Sequence, residues 1–494
     1  MIRLLIGAAA LALPVAAMAQ APAVPQDGII LSSFYDPRSI VVYGGLLSDD
    51  GGDQVQGLAI LRDLDPGLGA RIENRLRDEA GIVQFRRSDG RTAHPTSQGV
   101  TLRGLGGNAS SRALVTLDGV PQADPFGGWV AWSAYDAINL GGIIVTRGGG
   151  SGVDGPGALA GTIGLYSTMT DGMEASAAYG SRDSLDFSAT AGGKLGSGQV
   201  AIDGRYSRGD GFIPIVKGQR GVVDRAAPYE QGGLGIRLRF DAGADSRIEA
   251  SLRGFSDRRD RGTDYTTSKF DGIDASLRFV HDPAGGTQWL ALAYLQLRDF
   301  DSGFASVAAG RNSVAPALFQ SVPATGIGAR VEVRPALGDA NPLRVGVDWR
   351  RTTGRTEEDY FFSGTTPGRH RIAGGSSDTV GAFAEWSSGD AGDGLLWTLG
   401  GRIDRWWLGT GYRLERNIGG SPITRPPFSG RAGAGGGGPP GRGGGPGGFG
   451  PLTNSIAPSG WAPIRPPRTN CSSLSGYGAA RPARTGAAMA PSCQ

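Results

Sequence analysis

Glycines at a nucleotide-binding spacing are the first pattern in this sequence that could do chemistry. Residues 150–155 read Gly-Ser-Gly-Val-Asp-Gly, which fits G-x-G-x-x-G, and they follow a β-prone stretch. That fingerprint holds a dinucleotide only when a helix opens at the glycines and a βαβ unit continues. Here Pro156 and Gly157 follow at once, and residues 161–166 are again β-prone. The glycines therefore predict close turns between strands and not a phosphate-binding loop.

Histidines and cysteines provide no candidate for a catalytic or metal-binding site. His94, His281 and His370 are scattered, and Cys471 and Cys493 both lie near the end of the chain. The sequence shows no nucleophile–base pair and no metal-ligand spacing, so we predict no enzyme activity, no catalytic residue, no metal and no cofactor. A net charge of +3 over 494 residues gives no reason to expect nucleic-acid binding.

The first 19 residues predict export. Arg3 supplies a positive start, residues 4–17 are mostly apolar, and Ala17-Met18-Ala19 is a cleavage motif of the A-x-A kind. A transmembrane anchor is the alternative, but the run is shorter than the roughly 20 residues that a span needs, and Pro14 interrupts it. We predict a signal peptide over 1–19, and any membrane insertion of the mature chain by strands.

Residues 99–166 are the stretch around which the chain is organised. Three β-prone runs, 99–103, 112–117 and 143–147, are separated by turns rich in glycine, which permits tight reversals. Four motifs follow in order: Arg103-Gly104, Leu117-Asp118-Gly119-Val120, Val145-Thr146-Arg147-Gly148 and Gly157-Ala158-Leu159-Ala160-Gly161-Thr162-Ile163. In type, order and spacing they resemble the plug domain of TonB-dependent outer-membrane receptors.

The resemblance implies a small α/β plug domain over 56–167. Its structural motif would comprise Arg103, Gly104, Asp118, Gly119, Arg147 and Gly148. Apolar residues spaced by four, Leu68, Ile72 and Leu76, predict a short helix within 67–78, and residues 80–83 predict a strand.

By position in such plugs, residues 105–111 and 122–132 would form the apical loops that bind ligand. The resemblance assigns ligand contact to Leu105, Asn108, Ser110, Gln122, Asp124, Phe126, Trp129 and Trp132. The aromatic residues among them, Phe126, Trp129 and Trp132, could stack on a ligand or pack against the barrel wall.

A polar, proline-bearing arm over 20–55 contains a short β-prone island. The island, Ser39, Ile40, Val41, Val42, Tyr43 and Gly44, resembles the TonB box, through which this family is gripped from the periplasm. Such a segment can add a strand to the sheet edge of a partner. A plain first strand of the plug is the alternative.

From residue 173 the sequence changes to long alternating runs. The clearest cover 234–241, 247–253, 273–279, 327–334 and 343–350. Because successive side chains of a strand point to opposite faces, each run has one apolar and one charged face. A soluble sandwich could show this pattern, but in an exported protein such segments are typical of an outer-membrane barrel. In lipid that sheet must close, because a free strand edge finds no hydrogen-bonding partner there.

The two faces predict orientation. The apolar face would meet outer-membrane lipid, and the Arg, Asp and Glu face would line the lumen. Some aromatic residues of the apolar parity should form the interfacial girdle; the candidates are Tyr179, Tyr206, Trp349, Trp386 and Trp397.

Connection lengths alternate as well. We predict short links near 193–198, 242–245, 281–286, 336–341 and 388–393, and long ones near 209–231, 257–271, 299–326 and 352–378. Short periplasmic turns and long outer loops are typical of bacterial barrels.

The strand pattern covers 173–416, with eleven or twelve strands, and then stops. Receptors of this type close with about 22 strands, so we expect a partial barrel. Residues 421–494 are dominated by Gly, Pro, Ala and Arg, and are interpreted as a low-complexity tail or as a gene read out of frame.

The sequence therefore predicts a mainly β protein: a small α/β plug followed by an antiparallel transmembrane β-barrel that is incomplete. The resemblance implies uptake of a ferric siderophore or cobalamin, energised by TonB of the inner-membrane complex. The alternative is a truncated, non-functional receptor fragment.

Overall fold

Two β-sheets of very different size dominate the structure, which is a computed structural model. It describes residues 58–61, 71–77, 79–84, 86, 88–102, 113–147, 152–155, 157–337, 342–388, 397–420 and 422–423. A five-stranded sheet and a two-stranded sheet belong to the N-terminal part, and a twelve-stranded sheet follows. We call the described residues from 58 to 167 the plug region and the twelve-stranded sheet the wall.

The plug region contains seven strands and one α-helix. These are β1 (Leu58–Leu61), α1 (Ile72–Arg77), β2 (Ile82–Gln84), β3 (Val100–Leu102), β4 (Ala113–Leu117), β5 (Val120–Pro121), β6 (Leu140–Arg147) and β7 (Gly161–Ser167). The main sheet has the order β1-β6-β7-β4-β5, with β4 and β7 parallel and the other pairs antiparallel. Strands β2 and β3 form a separate pair. The three β-prone runs of the sequence are thus confirmed as β3, β4 and β6.

Helix α1 lies within the predicted 67–78, of which residues 67–70 and 78 are outside the described part of the chain. It begins at Ile72 and buries Ile72 and Leu76, the apolar positions spaced by four. The predicted strand at 80–83 begins two residues late, because Gly81 has a φ of +83° and the N–H of Ile82 closes a turn on the carbonyl of Glu79. In the described residues no helix is long and apolar enough to cross a membrane.

Both faces of the main plug sheet are covered, which explains its apolar composition. Ile143 and Val145 of β6 and Ile163 and Leu165 of β7 are fully buried. β-Branched side chains pack well on a pleated surface that is covered on both sides. Their cluster also includes residues of the wall, chiefly Phe255, Phe270 and Phe300.

The wall is an antiparallel meander in which each strand pairs with the next. Its strands are β8 (Gly172–Gly180), β9 (Ser184–Leu195), β10 (Gly198–Gly209), β11 (Tyr229–Asp241), β12 (Ser246–Arg259), β13 (Ser268–His281), β14 (Gln288–Val307), β15 (Val314–Arg334), β16 (Leu343–Ser363), β17 (Thr366–Ser388), β18 (Trp397–Asn417) and β19 (Pro422–Ile423). Eleven of them end by Asn417, which agrees with the predicted eleven or twelve.

The predicted faces of the wall are present. Outward-facing apolar side chains such as Leu234, Leu252 and Leu277 are more than half exposed. Their charged neighbours, such as Arg253 and Arg278, are buried against the plug region. The charged face is therefore the inner face.

Two of the predicted long links were wrong. Residues 210–228 and 260–267 are loops as expected, but β14 and β15 approach within six residues of each other, and β16 and β17 join through residues 364 and 365. The polar residues in 299–326 and 352–378 are part of the paired strands and not of loops. Hydrogen bonds between neighbouring strands pair the backbone N–H and C=O groups whatever the side chains are.

The sheet is open within the described residues. Strand β8 pairs only with β9, and β18 pairs with β17 and, at two positions, with β19. No pairing joins the two ends of the sheet among these residues. The predicted incomplete barrel is confirmed in this sense.

Candidate plug apex and plug–wall interface

The apical loop around residues 123–130 is shaped by one carboxylate. Asp124 Oδ1 accepts hydrogen bonds from the backbone N–H groups of Phe126 (3.0 Å) and Gly127 (2.6 Å). The loop is closed by a bridge between Ala123 and Val130. Burial raises the pKa of Asp124, while these two N–H groups lower it. Asp124 therefore acts within the loop as a turn-forming acceptor.

The two apical tryptophans are covered in this structure. Trp129, 7% exposed, packs on Phe300 with ring centroids 4.9 Å apart and meets Phe270 edge-on at 6.3 Å. Trp132, 3% exposed, donates its indole N–H to the carbonyl of Gln98 at 3.0 Å. Of the two placements that the sequence left open, the structure has both rings packed against protein.

Phe126 is the exposed aromatic residue of the loop, at 41%. Its ring lies over Gly354 of β16, where an added Cβ would come 2.5 Å from its Cγ. Pro125 occupies a similar notch over Gly326 of β15, where a Cβ would come 2.9 Å from the proline Cγ. Glycine in the wall thus makes room for the tip of the loop.

Gln122 lies beneath the apex. It accepts a hydrogen bond from the hydroxyl of Tyr135 at 2.7 Å and donates to the carbonyl of Val120 at 2.9 Å. Burial raises the pKa of Tyr135, so its hydroxyl stays a donor. Gln122 and Trp132 are thus buried packing residues in this state, and Phe126 is the exposed one.

The described residues of the predicted plug motif hold turns and strands of the plug region together. Asp118 and Gly119 take positive φ angles of 51° and 81° in the turn between β4 and β5, and Asp118 Oδ1 accepts the N–H of Ser167 at 2.8 Å. Arg147 donates to the carbonyl of Ala80 at 2.9 Å and pairs with Glu79 at 2.5 Å. These contacts tie β6 and β7 to their neighbours.

Several predicted residues lie outside the described part of the chain. They are the TonB-box residues Ser39, Ile40, Val41, Val42, Tyr43 and Gly44, the ligand residues Leu105, Asn108 and Ser110, and the motif residues Arg103, Gly104 and Gly148.

Sequence reasoning missed the main polar contact between wall and plug region. Inner-face arginines of the wall donate to backbone carbonyls of the plug region; the pairs are Arg205 with Tyr135 (3.3 Å), Arg253 with Ala134 (3.3 Å), Arg259 with Gly90 and Ala93 (2.6 and 2.8 Å), Arg278 with Asp118 (3.0 Å), Arg330 with Val153 (2.9 Å) and Arg402 with Gly152 (3.3 Å). The arginines could have been found from the sequence, because arginine recurs at the charged positions of successive strands. The backbone carbonyls that they bind could not have been found, because a carbonyl has no sequence signature.

His94 joins the plug region to the wall near the apex. Its Nδ1 accepts the N–H of Thr96 at 3.2 Å, which leaves Nε2 to donate to Ser302 Oγ at 2.9 Å. The ring stacks on Phe304 and meets Phe300 edge-on. Burial, together with Arg261 and Arg259, lowers the pKa of His94 to about 3, so the ring is neutral at physiological pH.

A cavity of about 930 Å³ lies at the long-loop end of the wall, lined by residues from every strand between β10 and β17. Loop 210–228 reaches across this end: Arg311 holds Asp224 through both carboxylate oxygens at 2.5–2.9 Å, and Arg225 pairs with Asp260 at 2.8 Å. The hydrogen bonds from Arg311 lower the pKa of Asp224. Among the described residues no cluster of His, Cys, Asp and Glu could hold a metal ion.

Residues 66–162 match the family profile described as TonB-dependent Receptor Plug Domain. This segment is a TonB-dependent receptor plug. No curated protein matches the sequence. The plug match and the fold of the wall confirm the predicted resemblance to such receptors.

Solved structures with a similar fold cover most of this chain. The ferric citrate transporter FecA, unliganded, is 14% identical with a TM-score of 0.55, covering 74% of this chain and 58% of that one. The copper transporter OprC is 17% identical (TM-score 0.57; 76% and 59% covered). The ferric yersiniabactin uptake receptor FyuA from Yersinia pestis is 13% identical (TM-score 0.55; 73% and 60% covered). At these identities the likeness is one of fold, and the chain spans about three fifths of their length.

Proposed function

We propose that this protein acts in the outer membrane as a TonB-dependent receptor that takes up a scarce, large nutrient. The observation that carries the proposal is the plug seated against the charged inner face of the wall by arginine-to-carbonyl hydrogen bonds. A passive pore would have no need of such an occupant. Residues 1–19 would be the cleaved signal, 20–55 the periplasmic arm, 56–167 the plug and 173–416 the partial barrel.

The transported ligand would be a ferric siderophore or a cobalamin-like molecule. Similar folds are described as ferric citrate, ferric yersiniabactin and copper carriers, which supports a metal-bearing cargo. Ligand would meet Phe126 and the loops over the cavity at the long-loop end, together with Leu105, Asn108 and Ser110. Contacts of Gln122, Asp124, Trp129 and Trp132 with ligand would require the apex to move, since all four are buried.

Energy for uptake would reach the plug through the TonB box at residues 39–44. Val41→Pro removes a backbone N–H from a segment that must pair as a strand. We expect this variant to bind ligand as before and to lose energised uptake, measured with a panel of radiolabelled ferric siderophores and cobalamin. Val24→Pro, outside the box in the same arm, is the control. Uptake by Val41→Pro at the unaltered rate would refute the role of the box.

A truncated, non-functional fragment is the second candidate, and it is favoured by the sheet being open among the described residues. Unpaired N–H and C=O groups at strand edges cost several kcal/mol each in hydrocarbon, and in water such edges promote aggregation. Outer-membrane fractionation with a heat-modifiable gel band decides between the candidates. A folded band that supports uptake favours the receptor, and an aggregated or degraded product favours the fragment.

A further inference from the structure

The outward face of β16 and β18 carries cationic side chains beyond the apolar belt of the wall. Arg351 and Arg355 lie on β16 and Arg405 lies on β18, and all three alternate in step with the outward-facing apolar residues of these strands. The side chains of Arg351 and Arg355 are each 50% exposed, and Arg405 is exposed too. We call these three residues the arginine patch.

The patch lies at the long-loop boundary of the belt. On the same strands the outward positions nearer the short turns are apolar, as at Val347 and Ile403. Trp407 and Tyr412, both partly exposed, flank the patch on β18. Tryptophan and tyrosine concentrate where the hydrocarbon of a membrane meets its headgroups. In the proposed outer-membrane location, the patch would therefore lie at headgroup level on the outer side.

A recess of about 420 Å³ lies beside Arg351 and Arg355. Four residues that bear hydroxyl groups are among those that line it, Thr325, Thr353, Ser376 and Tyr412. Gly354 and Gly375 contribute no side chain to its floor. The recess thus combines two guanidinium groups with several neutral hydrogen-bonding groups and has room for part of a polar headgroup.

The cations of the patch are weakly held by their neighbours. Arg351 lies 3.6 Å from Asp378, beyond an ordinary hydrogen bond, and Arg355 pairs with Glu357 at the surface. Among the described residues Arg405 has no hydrogen bond or ion pair. Exposed ion pairs such as Arg355–Glu357 contribute little stability, so an incoming anion can replace Glu357 at small cost.

The outward charges are also sorted along the wall. At a similar distance from the apolar belt, β13 and β14 carry the carboxylates Asp271, Asp299 and Asp301 around a single lysine, Lys269. An anion would thus be repelled there and attracted at the arginine patch.

We propose that the arginine patch binds the phosphate groups of a phosphorylated glycolipid in the outer leaflet, an inference that rests on the proposed outer-membrane location. The planar guanidinium fork of arginine matches phosphate oxygens, and basic clusters beside a membrane recognise anionic headgroups. Positions 351 and 355 are about 13 Å apart along the strand. That spacing fits a headgroup with two phosphates better than one free phosphate.

The test uses the full chain folded in neutral detergent. Affinity is measured by fluorescence titration with an acylated glucosamine disaccharide that bears two phosphates, with the same lipid after phosphatase treatment, and with inorganic phosphate. We expect the diphosphorylated lipid to bind and the other two probes to bind at least tenfold more weakly. Equal binding of the dephosphorylated lipid would overturn the inference, and equal binding of inorganic phosphate would reassign the patch to free anions.

Variants separate charge recognition from a structural role. Arg351→Gln and Arg355→Gln should each weaken lipid binding by about tenfold, whereas Glu357→Gln, which removes a competing carboxylate, should strengthen it. Arg208→Gln is the matched control, since Arg208 is 47% exposed and also pairs with a carboxylate, Asp183. Unchanged binding in the Arg351 and Arg355 variants, or an equal loss in Arg208→Gln, would overturn the assignment.

The two proposals fail in different ways. Flotation of the chain with lipid vesicles tests membrane insertion without reference to the patch. Insertion without phosphate-dependent binding overturns the patch and leaves the receptor proposal standing. Absence of insertion overturns the receptor proposal and, with it, the patch.

Discussion

Asp124 determines the shape of the apical loop, and its replacement tests that role. Asp124→Ala would leave the N–H groups of Phe126 and Gly127 without their acceptor. We expect a loss of about 1–3 kcal/mol in the free energy of unfolding, measured by denaturant titration in detergent. Asp124→Asn keeps an acceptor oxygen and should cost much less. An equal loss in both variants would mean that the charge, and not the hydrogen bonds, supports the loop.

His94 makes the stability of the plug–wall contact depend on pH. Its pKa is about 3 when folded and near the ordinary 6.5 when unfolded. The unfolded chain therefore binds the extra proton first, and stability is full above pH 6.5 and falls as the pH drops towards 3. Between pH 6.5 and 5 the loss should be about 2 kcal/mol.

The variant His94→Gln should flatten this pH dependence. His281→Gln makes the same change on the wall, where the ring bonds to Ser246 instead of to the plug region. Denaturant titrations at pH 7.5 and 5.0 provide the comparison. If His94→Gln and the unchanged protein lose the same stability on acidification, the histidine does not carry the effect.

Between elements, the apical loop fits against β15 and β16 because glycines on these strands leave room for it. Gly354→Ala would place a Cβ against the ring of Phe126. We expect it to lower the free energy of unfolding by about 1–3 kcal/mol and to displace the loop, which can be followed by protease cleavage near residue 126.

Removal of the ring should relieve that clash. In a double-mutant cycle, Phe126→Ala should make Gly354→Ala nearly neutral. Gly401→Ala on β18, where an added Cβ meets nothing within 4 Å, is the control. Additive effects of the two substitutions would show that the ring and the glycine do not contact each other in solution.

For the molecule as a whole, the faces of the wall predict which side meets lipid. Leu277 points outward and is 55% exposed, whereas its neighbour Ser276 bonds to Ser251 on the inner face. In protein folded into vesicles, Leu277→Cys should react with a lipid-soluble thiol reagent and Ser276→Cys should not. Ser276→Cys should instead become reactive towards a water-soluble reagent once the plug is unfolded with urea. The reverse labelling would place the apolar face inside.

Much of this protein follows from its sequence because the signals are local. The alternation of apolar and charged residues along the strands assigned residues such as Leu252 and Arg253 to opposite faces of the wall. Four glycine-rich motifs identified the plug. Chain order was sufficient for the wall, since each strand pairs with its successor. Tertiary structure decided the remainder, because it depends on contacts between distant residues. Trp129 could have faced a ligand or the wall, and Phe270 and Phe300 decided its place. The arginines were visible in the sequence, but the carbonyls that they bind became neighbours only through folding.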